Sequence, residues 1–73
     1  MKKFLVVVEK ANGNYSAYAP DLPGCVAAGN TVQETVQLMR EAMQMHIEGL
    51  VEDGLPVPDA HSVAEYVVLA ETA

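Results

Sequence analysis

The chain has 73 residues, with four Lys or Arg against ten Asp or Glu, a formal net charge of −6 and a pI near 4.5. That length allows one domain over residues 1–73, and folding removes only about 60% of its unfolded surface from water, so stability of about 4–11 kcal/mol is expected and self-association would help. An apolar fraction of 51% excludes a disordered chain, and four scattered basic residues exclude a phosphate-binding footprint; the acidity suits a basic protein partner instead.

Phe4-Leu5-Val6-Val7-Val8 is the longest apolar run, far short of the ~20 residues of a membrane helix. Met1-Lys2-Lys3 before it mimics a secretion signal, but Glu9-Lys10 ends the run too early, so a cytoplasmic protein is expected. Lys3 to Glu9 reads as a strand apolar on both faces and therefore central in its sheet. Asn12-Gly13-Asn14 tolerates positive φ in a tight hairpin turn. Tyr15 to Ala19 is a second strand, with Tyr15, Ala17 and Ala19 alternating against Ser16 and Tyr18. Pro20-Asp21-Leu22-Pro23-Gly24 breaks it, since proline withholds ladder donors and Gly24 permits a sharp reversal. Cys25 to Gly29 is a third strand, whose small side chains predict something packed closely over it.

Thr31-Val32-Gln33-Glu34 is a capping box, with the Thr hydroxyl accepting a helical amide and the Glu carboxylate returning to the Thr amide. A helix is expected from Thr31 to Asp53, where Gly54 supplies a C-cap and Pro56 and Pro58 keep the chain extended. Val32, Val36, Met39, Met43, Ile47 and Leu50 recur at three- and four-residue spacing as its core stripe. Leu38, Met45 and Gly49 lie off that stripe at helical spacing, either a contact with a neighbouring subunit or scattered surface residues. Glu65 to Ala70 is a last strand rich in β-formers. The expected fold is α+β in β-β-β-α-β order: an antiparallel three-stranded meander, a fourth strand returning beside the first, and the helix on one face.

Chemistry-bearing residues are few. Cys25 is the only cysteine, which excludes an intrachain disulfide and a thiolate zinc cluster, and it reads as a small buried residue. His46 borders the helix stripe as a hydrogen-bonded interface residue, and His61 follows Asp59 in the loop after the helix. Glu34, Glu41 and Glu48 recur every seven residues on the solvent side, a solvated acidic face rather than a metal cage. No phosphate loop, nucleophile elbow or zinc motif is present in the sequence, and neither cofactor nor enzymatic activity is expected. The loop around Tyr18, Asp21 and Leu22 offers a ring, a charge and an apolar tip, which fits a protein contact. Asp21 in such a turn also accepts nearby backbone amides.

Tyr15-Ser16-Ala17-Tyr18-Ala19-Pro20-Asp21-Leu22-Pro23-Gly24-Cys25, then Gly29-Asn30-Thr31 with Glu34, Glu41-Ala42 and His46, then Glu52-Asp53-Gly54-Leu55-Pro56 resemble the HicB-type antitoxin domain. The resemblance implies a partial ribonuclease-H-like fold, homodimers or tetramers, and neutralisation of a small basic mRNA-cleaving toxin of the HicA type. Such an antitoxin covers the toxin's RNA-binding surface and its catalytic histidine. The expected partner contacts are Tyr18, Asp21, Leu22, Glu34 and Glu41, and the expected oligomer contacts are Leu38, Met45 and Gly49. Many family members carry a second, DNA-binding domain after this one; with the chain ending at Ala73, none is expected here, and no operator binding. Two other readings stand beside this one: a homo-oligomeric binding protein for some other ligand, and a degenerate metal-dependent nuclease using Asp21 with Glu9 or Glu65.

Overall fold

A computed structural model describes residues 2–71. Gly13, at φ +77°, turns the chain between β1 (Val7–Lys10) and β2 (Tyr15–Tyr18), with the Ala11 N–H donating to the Asn14 carbonyl at 2.8 Å. Only this glycine takes positive φ in the hairpin; the two flanking asparagines do not. β2 continues through the proline turn into β3 (Val26–Gly29), and the sheet order is β1-β2-β3, antiparallel throughout. The register pairs Val7 with Tyr18 and Tyr18 with Val26, then Val8 with Ala17 and Ala17 with Ala27. Because side chains alternate across a strand, the second row faces the core and the first faces away.

The helix α1 (Val32–Glu52) lies across the core-facing side, chiefly over β3 and β2. Thr31 caps it, its hydroxyl accepting from the Glu34 N–H at 3.0 Å. At the other end, the Gly54 N–H donates to the Val51 carbonyl and the Leu55 N–H to the Leu50 carbonyl at 2.8 Å. With Gly54 at φ +71°, this is the Schellman arrangement that Asp53-Gly54 foretells. Met39 and Thr35 are fully buried, and Val36, Met43 and Ile47 are half-buried, so the stripe faces the sheet as expected. Val32, at its start, is exposed.

The small residues of β3 answer a real close approach. A Cβ on Gly29 would stand 2.7 Å from Thr35 Oγ1 and 3.0 Å from the Thr35 nitrogen, so glycine is what lets the helix seat here. The core consists of Ala17, Ala19, Leu22, Cys25 and Met39, flanked by Phe4, Val6, Val8 and Ala27.

Two expectations about the sheet are corrected. Lys3 to Glu9 is not a central strand: the ladder begins only at Val7, and β1 is an edge. Glu65 to Ala70 pairs with nothing among the described residues; it runs extended and exposed beyond the domain. The Cα radius of gyration is accordingly 14.8 Å, against about 11 Å for a compact chain of this length. The physical reason lies at Asp21.

Candidate functional site

The turn after β2 is drawn tight by two backbone bonds, Leu22 N–H to the Ala19 carbonyl at 3.1 Å and Cys25 N–H to the Leu22 carbonyl at 3.3 Å. Gly24, at φ +90°, completes the reversal. The turn drives Leu22 wholly into the core and leaves Asp21 only 5% exposed. A buried carboxylate needs hydrogen-bond donors. They come from forty residues away: Oδ1 accepts from Ser62 Oγ at 2.7 Å, and Oδ2 accepts from the N–H groups of Ser62 at 2.8 Å and His61 at 2.9 Å. His61 Nδ1 stands 3.2 Å from Oδ1 and 3.1 Å from the Asp59 carbonyl; both neighbours are acceptors, so this nitrogen carries the ring proton.

The Ser62 hydroxyl and then its N–H are the strongest influences holding the Asp21 carboxyl below its ordinary value near 3.8, with burial opposing them and His61 adding a smaller pull. Burial raises the Cys25 thiol, which fits an inert packing residue. Asp21 does accept backbone amides, but those of the segment after the helix rather than of its own turn.

The expected partner contacts do not form one surface. Leu22 is a core residue, which corrects its reading as an exposed tip, and Asp21 is occupied by Ser62 and His61. Tyr18 is 44% exposed on the bare face of the sheet, in a row with Val7 and Val26. Glu34 and Glu41 are exposed on α1, which covers the opposite face of the sheet. There Gln37 Nε2 donates to Glu41 and Gln44 Nε2 to Glu48, each at 3.2 Å, and orders the acidic face along the helix. Leu38 and Met45 are exposed on α1, and Gly49 is half-buried with nothing near the position of a Cβ. His46 is exposed, not a hydrogen-bonded interface residue: Met43 and Ile47 take the half-buried positions at this level of the helix.

No group of three His, Cys, Asp or Glu residues among the described residues is placed to hold a metal ion. Glu9 pairs with Ser16 at the far end of β2 from Asp21, and Asp21 spends its oxygens on hydrogen bonds, so that pair has no shared cation position. No described helix is long and apolar enough to cross a membrane.

A groove of about 670 Å³ lies between the first strand segment and the helix, lined by Phe4, Val6, Val36, Met43, Ile47 and Val57. It exists because α1 barely reaches over β1. Neither the groove nor the Asp21–Ser62 contact has a local sequence signal, since each joins segments far apart in the chain.

Comparison with known proteins gives a consistent result. The family model for the HicB_like antitoxin of bacterial toxin–antitoxin systems matches residues 4–72. Haemophilus phage HP1 has an uncharacterized 14.9 kDa protein in its rep-hol intergenic region that is 37% identical over 62 residues, covering 85% of this chain. The chain spans about half of that relative, 47% of its length. The UPF0150 protein ssr1765 of Synechocystis is 39% identical over 56 residues, covering 75% of this chain and 71% of its own. Among solved structures, the N-terminal domain of Burkholderia pseudomallei antitoxin HicB superposes with a TM-score of 0.75 at 34% identity, covering 82% of this chain and 72% of that one. A chain of a HicA3 and HicB3 toxin–antitoxin complex superposes with a TM-score of 0.65 at 31% identity, covering 81% and 72%.

Proposed function

The chain belongs to the HicB-like antitoxin family of bacterial toxin–antitoxin systems, and from that premise we propose that it binds and neutralises a small basic mRNA-cleaving toxin of the HicA type. The family is a non-enzymatic antitoxin domain. Its likeness to a chain of a toxin–antitoxin complex is the observation that carries the reading. The net charge of −6 supports it, because an acidic surface steers and covers a cationic RNA-binding one.

The contact is assigned to the acidic face of α1, with Glu34 and Glu41 as its charged residues. Tyr18 lies on the opposite face of the molecule and belongs to a different footprint. Neutralising an mRNA-cleaving toxin places the action in the cytoplasm.

Co-expression with a basic HicA-like protein encoded beside this chain should restore growth, and the purified complex should weaken as salt rises. Glu34→Lys with Glu41→Lys should reduce affinity by about tenfold or more, mostly through the association rate. The apolar row of Val7, Tyr18 and Val26 favours a second footprint on the bare sheet face. If Tyr18→Ala weakens the complex and the charge reversals do not, that footprint replaces the acidic one. If growth is not restored and no complex forms, the toxin assignment fails.

A further inference from the structure

The segment after Ser62 is rich in β-forming residues, runs extended and pairs with nothing among the described residues. Val63, Tyr66, Val67, Val68 and Leu69 are 79%, 103%, 76%, 98% and 78% exposed. Alternate positions put Val63, Val67 and Leu69 on one side and Tyr66 and Val68 on the other, so both faces are apolar. The groove beside residues 3–6 lacks a strand in turn, and those residues form no ladder of their own. We propose that the tail, residues 63–70, adds as an edge strand to the first strand of a second copy and fills that copy's groove, while the second copy's tail does the same in return.

The chain's own tail is directed away from its own groove. Lys2 Nζ donates to the Pro58 carbonyl at 3.1 Å and pairs with Asp59 at 3.6 Å, which holds the segment across the start of the first strand. The Asp21 carboxylate then fixes residues 61 and 62 at the end of β2. Filling its own groove would need a reversal directly after Ser62. Residues 60–71 contain no Gly, Pro, Asn or Asp to make one.

The tail and the groove match in kind and in charge. The tail is apolar with Glu65 and Glu71 and no basic residue, and the groove counts Lys2 and Arg40 among its lining. Arg40 has no carboxylate partner among the described residues. Added strands bind through backbone hydrogen bonds, with alternate side chains seated in a pocket. A second copy fits as the occupant because the described residues of each chain offer both an unpaired extended segment and an open groove, and a twofold exchange fills both. It also pairs an apolar edge that would otherwise invite aggregation.

The test uses the full chain alone, so its outcome does not depend on whether a toxin binds. Light scattering at micromolar concentration should give twice 7.8 kDa or an even multiple. Amide hydrogen exchange should show residues 3–6 and 63–70 protected together, with both protections lost on dilution. Val67→Pro removes a ladder donor at an exposed residue of a segment that pairs with nothing among the described residues, so the fold should persist by circular dichroism while the mass falls to that of a monomer. Arg40→Glu should weaken association by about tenfold if the tail's acidic residues meet it. A wild-type monomer, or protection of the tail that is independent of concentration, overturns the proposal. So does an oligomer that survives Val67→Pro with a rapidly exchanging tail; loss of that oligomer on Leu38→Lys with Met45→Lys would assign assembly to the helix face.

Discussion

The Asp21 carboxylate holds Ser62 by two bonds at once, its Oδ1 receiving the Ser62 hydroxyl at 2.7 Å and its Oδ2 receiving the Ser62 amide at 2.8 Å. This contact ties the end of the segment after the helix to the turn after β2. It decides where the tail leaves the domain. Asp21→Asn keeps the shape but turns one carboxylate oxygen into an NH2 donor, which in one orientation faces the His61 and Ser62 amide N–H groups and in the other faces the His61 Nδ1–H, and it removes the charge that strengthens the remaining bonds. The variant should unfold at lower urea, and exchange at His61 and Ser62 should rise more than exchange in the core.

The same carboxyl makes stability depend on pH on the acid side. Its folded value lies below the ordinary 3.8, chiefly through the Ser62 hydroxyl and amide. A group depressed on folding stabilises the protein at pH values above its unfolded value, and the gain is lost as pH falls through the folded one. The thermal midpoint should therefore decline below about pH 4. Ser62→Ala should flatten that decline, measured as midpoint against pH in matched buffers.

Gly29 and Gly13 separate two reasons for glycine. Gly29→Ala places a methyl group 2.7 Å from Thr35 Oγ1 with backbone behind it, and should cost about 1–3 kcal/mol by overpacking. Gly13→Ala meets open space at φ +77° and should cost only about 1–2 kcal/mol of left-handed strain. Relieving the contact by Thr35→Ala should restore part of the loss at Gly29 and none at Gly13, as read from a double-mutant cycle in urea.

Met39 is fully buried at the centre of the helix–sheet contact. Met39→Ala should cost about 2–5 kcal/mol, a large share of the stability of a domain this small. Met45→Ala, on an exposed residue, should change the monomer's stability by less than about 0.5 kcal/mol. Equal losses at the two positions would mean that Met45 is buried in an assembly.

What could be read along the chain was whatever depends on near neighbours. The hairpin glycine, the Thr31 cap, the Gly54 stop and the stripe through Met39 each rest on contacts within about one turn, and each appears where expected. The resemblance to HicB-type antitoxins was legible for a related reason: the proline turn, the cap and the Gly-Leu-Pro after the helix are local and occur in order. Leu22 was misread because its turn gives no sign of which way a side chain points. The first strand was misplaced at the sheet centre because an apolar run looks alike whether it lies at the centre of a sheet or at its edge.

The sequence by itself determined the β-β-β-α order of the first four elements, the acidic charge and the family, because propensity, capping and periodicity act over a few residues and charge is a sum. The tertiary structure alone decided that β1 is an edge, that Asp21 is spent on His61 and Ser62, and that the acidic helix face and Tyr18 look in opposite directions. Those outcomes depend on packing between separate segments, about forty residues apart in the case of Asp21. No local rule carries that information, because closing a long loop costs nearly the same entropy for many alternative partners, and only the fit of the assembled core chooses among them.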